Sequence, residues 1–312
     1  MPSPDDQRPP ISFRYWPSWL GVGLLWLLGM TPQWLALALS VPLGDVMRVT
    51  MKSRRRIAQR NIERCFPELD HARQEAILRD CFRSLTRALF ETAWAWSVSD
   101  ERMRRMNRVE GLDNVIKARQ GGRGVLLVTA HLTGLEIGAR LMALSLGPEL
   151  PASGIYRPLR NPVFEWCQNR GRSRYAASMI SKREMRGAIR LLRNGGLVWY
   201  APDQDFGREQ SLFVPFFGIQ TATLLATYRL AQMTGCAVVP MFPVYDAANR
   251  TYTIRFLPEL VGFAGSDATV GLARVNAIME AQIRSAPGQY WWIHRRFKTR
   301  PDGEAPFYGQ KH

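Results

Sequence analysis

Metal ligands and disulfide partners are scarce in this sequence. The four cysteines, Cys65, Cys81, Cys167 and Cys236, stand far apart with no C-x-x-C pair, and the four histidines show no H-E-x-x-H or comparable ligand spacing. Such a pattern predicts neither a disulfide framework nor a zinc site. We therefore expect free thiols, a reducing compartment and no bound metal.

Motifs for nucleotides and nucleic acids are missing as well. No P-loop and no G-x-G-x-x-G follows a predicted strand, which argues against a nucleotide enzyme. The chain is nonetheless strongly basic, since 42 Lys and Arg against 26 Asp and Glu give a formal net charge of +16. Such an excess predicts a polyanionic partner. Because no nucleic-acid-binding motif is recognised, we expect no nucleic acid and favour acidic lipid or another anionic substrate.

Charge is also absent from residues 15–44. This run is long enough to cross a hydrocarbon core of ~30 Å as one helix, so it predicts a membrane anchor. It is longer than the apolar core of a signal peptide and rich in Trp, which favours a retained segment. An alternative stays open, because Gly29 and Pro32 interrupt the run: two short helices, buried in protein or lying in the membrane interface.

A basic stretch follows directly. Residues 48–60 contain six Lys and Arg and no acid, whereas the N-terminal flank carries Asp5 and Asp6 as well as Arg8 and Arg14. Basic flanks belong on the cytoplasmic side of a membrane. The asymmetry therefore predicts that residues from 46 onward face the cytoplasm, with the basic stretch near acidic headgroups.

The remaining periodicity alternates between strand and helix patterns. A helical pattern runs from 67 to about 100; strand patterns cover 124–131, 154–157, 196–203, 236–246 and 251–258; helical patterns lie near 133–145, 182–194, 222–234 and 267–285. Alternation of this kind predicts an α/β fold with a mainly parallel central sheet flanked by helices. We divide the chain into a tail and membrane anchor (1–45), a basic and helical extension (46–108) and an α/β core with a basic C-terminal segment (109–312).

The segment HLTGLE carries the strongest candidate for chemistry. His131 ends a predicted buried strand and Glu136 lies just inside the following helix, at the carboxyl edge of the sheet where α/β proteins bind ligands. One interpretation is structural, because Thr133 and Glu136 fit the T-x-x-E capping box. The other is catalytic, with the imidazole of His131 as general base and the Glu136 carboxylate orienting it. The residues alone leave both open.

Several blocks resemble a known family. HLTGLE is similar to the H-x4-D/E signature of the glycerolipid acyltransferase superfamily, and in particular to its lipid A late-acyltransferase branch. Further similar blocks are RYWPSWLGVGLLWL near the start, RNIERCFPEL at 60–69, YRPLRNPVFEWCQNRGR at 156–172, VWYAPDQDFG at 198–207 and QYWWIHRRFKTRP at 289–301. The resemblance covers nearly the whole chain, and its first and last blocks are distinctive of that branch.

The resemblance implies an acyltransferase of lipopolysaccharide biosynthesis at the bacterial inner membrane, with one N-terminal anchor and a catalytic domain facing the cytoplasm. It implies transfer of a lauroyl-like chain from an acyl carrier protein thioester to a hydroxyl of a Kdo-bearing lipid A precursor, an anionic glycolipid. In that reaction His131, oriented by Glu136, removes the hydroxyl proton. No metal or dissociable cofactor is expected, because the thioester is already activated.

The resemblance also implies binding residues for the acceptor. Arg157 matches an arginine that the superfamily places against a phosphate or acidic sugar, a group that a guanidinium binds with two parallel hydrogen bonds. Arg170 and Arg172 are candidates for the same anion site. The alternative for Arg157 is a surface arginine or a structural pair to an acid, and for Arg170 and Arg172 it is plain helix-face charges.

The block PDQDFG departs from the superfamily. Asp203 and Asp205 fall where glycerol-phosphate enzymes carry an E-G-x-R pattern, which favours the lipid A branch. Their role stays open between orienting arginines and capping the next turn. The apolar run 213–218 is either a lining of the acyl channel or simply core.

The C-terminal segment adds more cations. Arg295, Arg296, Lys298 and Arg300 are candidates for docking an acidic carrier protein or lipid headgroups, and a solvated basic tail is the alternative. Two rival functions remain: an acyltransferase of the same superfamily that uses a lysophospholipid or another glycolipid, and a non-enzymatic lipid-binding relative. The second rival would be expected to lack His131 or Glu136, and both are present.

Overall fold

In the computed structural model, which describes residues 9–309, the chain folds as alternating helices and strands. The helices are α1 Trp16–Met30, α2 Gln33–Thr50, α3 Lys52–Cys65, α4 His71–Ser97, α5 Asp100–Arg105, α6 Leu112–Ala118, α7 Leu135–Leu146, α8 Pro162–Arg172, α9 Met185–Arg193, α10 Ala226–Thr234 and α11 Ala268–Ser285. The strands are β1 Asn107–Glu110, β2 Val125–Val128, β3 Ala152–Tyr156, β4 Met179–Ser181, β5 Leu197–Tyr200, β6 Ser211–Phe216, β7 Ile219–Leu224, β8 Ala237–Asp246 and β9 Thr251–Phe256.

A seven-stranded sheet forms the centre, in the order β1-β9-β8-β2-β5-β3-β4. Only the β8–β9 pair is antiparallel within it, and every other neighbouring pair is parallel. The prediction of an α/β fold with a mainly parallel sheet is confirmed. Sequence patterns missed the short edge strands β1 and β4 and the separate β6–β7 hairpin, which occupies part of the region assigned to a helix from 222.

Strand β2 separates two layers of core. Leu126 and Val128 belong to one buried cluster, whereas Val125 and Leu127 belong to the other. Successive side chains of a strand point to opposite faces, and helices cover both faces of this sheet, so each position must be apolar. This two-sided burial is the reason why residues 125–128 form a continuous apolar run in the sequence. Packing on both faces also holds the carboxyl end of β2 in place.

The uncharged run does not form the single helix predicted from its length. It is divided into α1 and α2 at Thr31–Pro32, where Thr31 is extended with φ −64° and ψ 129°. Proline lacks a backbone N–H and disfavours helical geometry in the residue before it, so the helix must stop there. Within residues 9–309 no single helix is long and apolar enough to cross a bilayer; α2 and α3 together meet the criterion of length and composition, with a bend of 97° between them.

Helices α1 and α2 pack along one side of α4. A Cβ on Gly29 would lie 2.3 Å from Ser97 Oγ, and a Cβ on Gly44 would lie 2.5 Å from the Cα of Arg83. These glycines therefore permit a close helix-helix approach. The opposite side of α1 and the start of α2 leave large apolar side chains exposed, and we call this set the outer face: Leu20, Leu24, Trp26, Leu27, Met30 and Trp34.

The helical extension consists of α3, α4 and α5. Helix α4 begins at the N-cap Asp70, whose carboxylate accepts the backbone N–H of Arg73 at 2.8 Å. Helix α3 buries Ile57, Ala58 and Ile62, while most of its basic side chains stay exposed. The division of the chain into three segments stays a prediction.

Candidate active site

The neighbouring parallel strands β2 and β5 bring His131 and Asp203 together. Val128 lies opposite Tyr200 at the ends of these strands, and His131 and Asp203 are the third residues beyond those ends. The backbone N–H of His131 donates to Oδ2 of Asp203 at 2.9 Å, and His131 Nδ1 lies 2.5 Å from Oδ1. One carboxylate thus fixes both the backbone and the ring of the histidine.

Burial differs sharply between these two side chains. The Asp203 side chain is 1% exposed and that of His131 is 23% exposed. Burial alone would raise the pKa of Asp203, but the charge and hydrogen bonds of His131 outweigh it and lower that pKa to about 2. Asp203 is therefore ionised at neutral pH and holds the proton of the imidazole on Nδ1. That arrangement leaves Nε2 as a proton acceptor, which is the geometry of a general base.

A C-terminal segment, residues 289–299, runs along the turn that contains His131; we call it the strap. The backbone N–H of Trp291 donates to the carbonyl of His131 at 3.0 Å, and that of Thr133 donates to the carbonyl of Gln289 at 2.7 Å. The strap therefore fixes the turn between β2 and α7 through two backbone hydrogen bonds.

Asp205 connects the strap to the loop after β5. Its carboxylate accepts the backbone N–H and the hydroxyl of Thr299, at 2.7 and 2.8 Å, and the backbone N–H of Gly207 at 2.9 Å. The backbone N–H of Asp205 in turn donates to Nε2 of His294 at 3.4 Å. Burial lowers the pKa of His294 to about 4, so this second imidazole is neutral near pH 7. Sequence reasoning missed His294, although it stands in the distinctive C-terminal block.

Glu136 lies in a different cluster from His131. Its carboxylate accepts two hydrogen bonds from Arg172 at 2.9 and 2.6 Å, and one each from the indole of Trp96 and the hydroxyl of Tyr175 at 2.7 Å. Burial would raise the pKa of Glu136, but the Arg172 guanidinium and the other donors lower it. Among the described residues these donors account for its hydrogen bonds, and none comes from His131. Its role as the orienting carboxylate stays a prediction.

The capping-box interpretation of Thr133 and Glu136 is wrong. The N-cap of α7 is Gly134, with no side-chain capping bond, and the hydroxyl of Thr133 is buried without a partner among the described residues. The Glu136 side chain is held by Arg172 instead of reaching back to the start of its own helix. Arg172 is thus an internal ion-pair partner, which removes it from the candidates for an external anion.

Arg157 and Arg170 occupy two different places. Arg157 is exposed directly after β3, at the same carboxyl edge of the sheet as His131. Arg170 is exposed on α8, with its guanidinium 5.6 Å from the ring centroid of Trp166. The roles proposed for them in substrate binding stay predictions.

Burial corrects the expectation for Arg296 and agrees with the core alternative for the run 213–218. Arg296 is 2% exposed and donates to the carbonyl of Ala222 at 2.6 Å, so it holds the β6–β7 hairpin and is not part of a docking surface. Of the apolar run 213–218, Val214, Phe216 and Phe217 are buried. The rings of Phe216 and Phe217 pack against Tyr290, Trp292 and Phe297 of the strap.

Comparison with known proteins places this chain in one family. The family described as bacterial lipid A biosynthesis acyltransferase matches residues 10–299. The chain is 41% identical over 296 residues to the lipid A biosynthesis palmitoleoyltransferase of Escherichia coli (strain K12), covering 95% of each chain. It is 39% identical over 291 residues to the lauroyltransferase of that organism, covering 93% of this chain and 94% of the other, and 32% identical over 299 residues to its myristoyltransferase, covering 96% and 92%.

The chain therefore belongs to the bacterial lipid A biosynthesis acyltransferase family. The resemblance found in the sequence is confirmed, and so is its coarser consequence, an acyltransferase of lipid A biosynthesis that acts on a lipid A precursor. Its relatives are bacterial enzymes, consistent with a place at the bacterial cell envelope.

Proposed function

We propose that the protein transfers a lauroyl-like chain from an acyl carrier protein thioester to a hydroxyl of a Kdo-bearing lipid A precursor, with His131 as general base. The observation that carries the proposal is the contact between His131 Nδ1 and the buried carboxylate of Asp203. A base held in one tautomer and partly open to solvent suits the removal of a hydroxyl proton.

The reaction follows from that tautomer. Nε2 of His131 takes the proton of the acceptor hydroxyl while the hydroxyl oxygen attacks the thioester carbonyl carbon. The tetrahedral intermediate then collapses, the C–S bond breaks, and the departing sulfur takes the proton from the imidazolium. Asp203 stabilises the imidazolium in between. An activated thioester requires neither a metal nor a dissociable cofactor for this transfer.

Glu136 has an indirect part in this proposal. Its ion pair with Arg172 joins the first turn of α7 to the end of α8. Because the turn containing His131 leads directly into α7, a fixed first turn keeps the imidazole in register with Asp203. We therefore assign Glu136 as a positioning residue.

Arg157 is the proposed contact for the anionic acceptor. It is exposed at the carboxyl edge of β3, and β3 is separated from β2 only by β5. A guanidinium there matches a phosphate or carboxylate of the precursor. Arg170 lines a groove that includes none of His131, Asp203 and Arg157, so we leave it out of this acceptor site.

The donor is proposed to dock on a basic patch, which we define by five of the exposed and half-exposed cations of α3 and the strap: Arg54, Arg60, Arg64, Arg295 and Lys298. Arg60 and Arg64 both stack over the ring of Phe307, at 5.7 and 5.9 Å, and Arg54 donates to a strap carbonyl at 3.3 Å. The patch therefore adjoins the strap that holds His131. Cations clustered in this way favour an acidic protein partner.

We also propose that the enzyme binds the inner face of the bacterial inner membrane. The outer face of α1 and α2 is a large exposed apolar surface, of the kind that marks a membrane or protein contact. Helix α3 turns away from α2 by 97° and presents cations suited to acidic headgroups. These two surfaces support a membrane-bound protein with its α/β core in the cytoplasm.

The test is a transfer assay with purified enzyme and lauroyl carrier protein. One arm offers a Kdo-bearing tetra-acylated lipid A precursor, the other lysophosphatidate, and His131→Ala is the control in both. We expect one acyl chain to be added only to the precursor and no turnover in the variant. Acylation of lysophosphatidate alone would show that the acceptor is wrong, and normal turnover in His131→Ala would refute the general base.

A further inference from the structure

A second imidazole, that of His294, lies beside the proposed general base. Both imidazoles contact the loop that follows β5: His131 through Asp203, and His294 through the backbone N–H of Asp205. Two residues of chain span at most about 7 Å, so the two rings contact neighbouring points of one loop. The strap adds a second link, because the backbone N–H of Trp291 donates to the carbonyl of His131 and that of His294 donates to the carbonyl of Trp291, at 3.0 and 3.1 Å.

The hydrogen bond from Asp205 determines which nitrogen of His294 carries the proton. Nε2 accepts that backbone N–H at 3.4 Å, and an accepting ring nitrogen has no proton of its own, so a neutral ring carries its proton on Nδ1. Burial is the main cause that lowers the pKa of His294 to about 4, and the charges of Asp203 and His131 act on it in opposite directions. The ring is therefore neutral near pH 7, with Nδ1 as a donor.

Nδ1 of His294 is open to a substrate. Within residues 9–309 it takes part in no hydrogen bond, and it is not one of the buried polar atoms that lack a partner. It is therefore accessible to solvent, in a side chain that is otherwise half-buried. The neighbouring polar groups are engaged elsewhere, since the carboxylate of Asp205 accepts from Thr299 and the guanidinium of Arg296 donates to a backbone carbonyl of β7.

We propose that His294 is a second catalytic residue, whose Nδ1–H donates to the carbonyl oxygen of the acyl thioester as that oxygen becomes negatively charged. A donor fixed about 3 Å from such an oxygen, in a partly buried site, stabilises the charge more than water does. This role depends on the acyl transfer proposed above for His131.

The hydrogen bond acts at one stage of the reaction. When the acceptor oxygen attacks the carbonyl carbon, the π electrons of the C=O bond move onto the carbonyl oxygen, which His294 then stabilises. The C=O bond re-forms as the C–S bond breaks, and the departing sulfur takes its proton from His131. His294 transfers no proton and is unchanged after each turnover.

The measurement is kcat and KM in the transfer assay, with full-length enzyme, lauroyl carrier protein and the acceptor that the wild type acylates. In His294→Ala we expect kcat to fall by roughly 10² to 10³, the cost of removing one such donor. KM for the thioester should stay nearly unchanged, because the hydrogen bond is stronger in the transition state than in the bound substrate. Thermal unfolding in detergent checks the fold.

Two amide variants separate this role from a structural one. The side-chain nitrogen of His294→Asn can take the position of Nδ1 and donate, whereas the side-chain oxygen of His294→Gln can take the position of Nε2 and accept from Asp205. We expect His294→Asn to be about tenfold faster than His294→Ala, and His294→Gln to be as slow as His294→Ala. His71→Asn and His71→Gln, at an exposed histidine that begins α4, are the matched controls and should keep the wild-type kcat.

A wild-type kcat in folded His294→Ala, or recovery by His294→Gln and not by His294→Asn, would overturn the role of His294 and leave His131 as the base. If His294→Ala does not fold, the order of the two amide variants decides. A wild type that acylates neither acceptor would overturn the proposed function itself, and the role of His294 with it.

Discussion

Two hydrogen bonds that one carboxylate accepts determine which nitrogen of His131 can act as a base. Oδ2 of Asp203 accepts the backbone N–H and Oδ1 faces Nδ1. In Asp203→Asn the amide oxygen would keep the backbone bond and turn the NH2 group toward Nδ1. The ring would then carry its proton on Nε2, where it cannot accept another.

We expect Asp203→Asn to lower kcat by roughly 10² to 10⁴ in a protein that is less stable but still folded. The transfer assay measures kcat, and thermal unfolding checks the fold. Asp246→Asn is the matched control, because Asp246 only closes an exposed turn through Asn249, and it should keep the wild-type rate. A wild-type rate in Asp203→Asn would mean that the pair is structural.

The same pair makes stability depend on pH. The pKa of Asp203 falls from an ordinary 3.8 to about 2 in the folded protein. A lowered folded-state pKa stabilises the protein fully above the unfolded value, and this contribution is lost as the pH falls through the folded one. For this shift the contribution is on the order of 2 kcal/mol.

Wild-type enzyme should therefore be more stable than Asp203→Asn near neutral pH, and the gap should close as the pH falls from about 4 toward about 2. Thermal unfolding in detergent over that window measures the gap. A gap that stays constant with pH would show that the Asp203 charge contributes nothing to folding.

Among the secondary-structure elements, α7 and α8 are joined by a buried ion pair. The side chains of Glu136 and Arg172 are each 14% exposed. Removing one partner leaves the other charge buried, which costs roughly 3–5 kcal/mol, whereas replacing both partners costs much less. We expect the first cost for Glu136→Ala and a smaller one for Glu136→Ala/Arg172→Met.

A double-mutant cycle on the free energy of unfolding measures the coupling. A residue that merely capped its helix would cost about 1 kcal/mol and show no coupling to Arg172. That result would contradict the positioning role assigned to Glu136.

Strand order explains why the sequence did not predict the contact between His131 and Asp203. Patterns placed His131 and Asp203 each after a buried strand. The nearest carboxylate in the chain was Glu136, yet the one in contact is 72 residues away. Strand β2 is flanked by both β5 and β8, and periodicity does not tell which strands are neighbours. The α/β class follows from local patterns; the contact follows from pairing between distant segments.

For the N-terminal helices, by contrast, the feature that determines the structure is local in the sequence. Pro32 marks the break between α1 and α2, whereas the length of the uncharged run predicted one helix. The sequence could not predict that α2 packs against α4, because Gly44 matters only where the backbone of Arg83 comes close to it.

Gly44→Ala should accordingly destabilise the α2–α4 contact by roughly 1–3 kcal/mol, because a Cβ would lie 2.5 Å from backbone of Arg83 that cannot easily move. Gly23→Ala on α1 is the control: nothing lies within 4 Å of its Cβ, and alanine favours helix. The thermal midpoint of each variant in detergent checks the contrast. Equal midpoints would show that α2 is free to shift on α4.

At the scale of the whole molecule, the net charge of +16 is divided among different tasks. Arg172 and Arg296 are internal, and the first is paired with an acid. Arg170 and Arg174 line a groove that also includes Trp26 of the outer face. The basic patch of α3 and the strap is the set of cations that we propose for an acidic protein. Composition alone gives the net charge, but it does not show where the charged side chains lie or what they contact.

Reversing charge in the patch should weaken donor binding and leave the chemistry intact. For Arg60→Glu/Arg64→Glu we expect KM for the carrier-protein thioester to rise about tenfold or more, with kcat nearly unchanged, because rim charges act mainly on association. The effect should shrink at high salt, since exposed charges are screened. Arg186→Glu/Arg190→Glu on α9 is the matched control, with the same change in net charge.

A small thioester, acyl-pantetheine, separates docking from catalysis. It carries the reacting group without the acidic protein, so the patch variant should use it as well as the wild type does. If KM rises equally for both donors, the patch acts on the site itself through the strap. If it rises for neither, the carrier protein docks elsewhere and the cations of α3 serve the membrane surface.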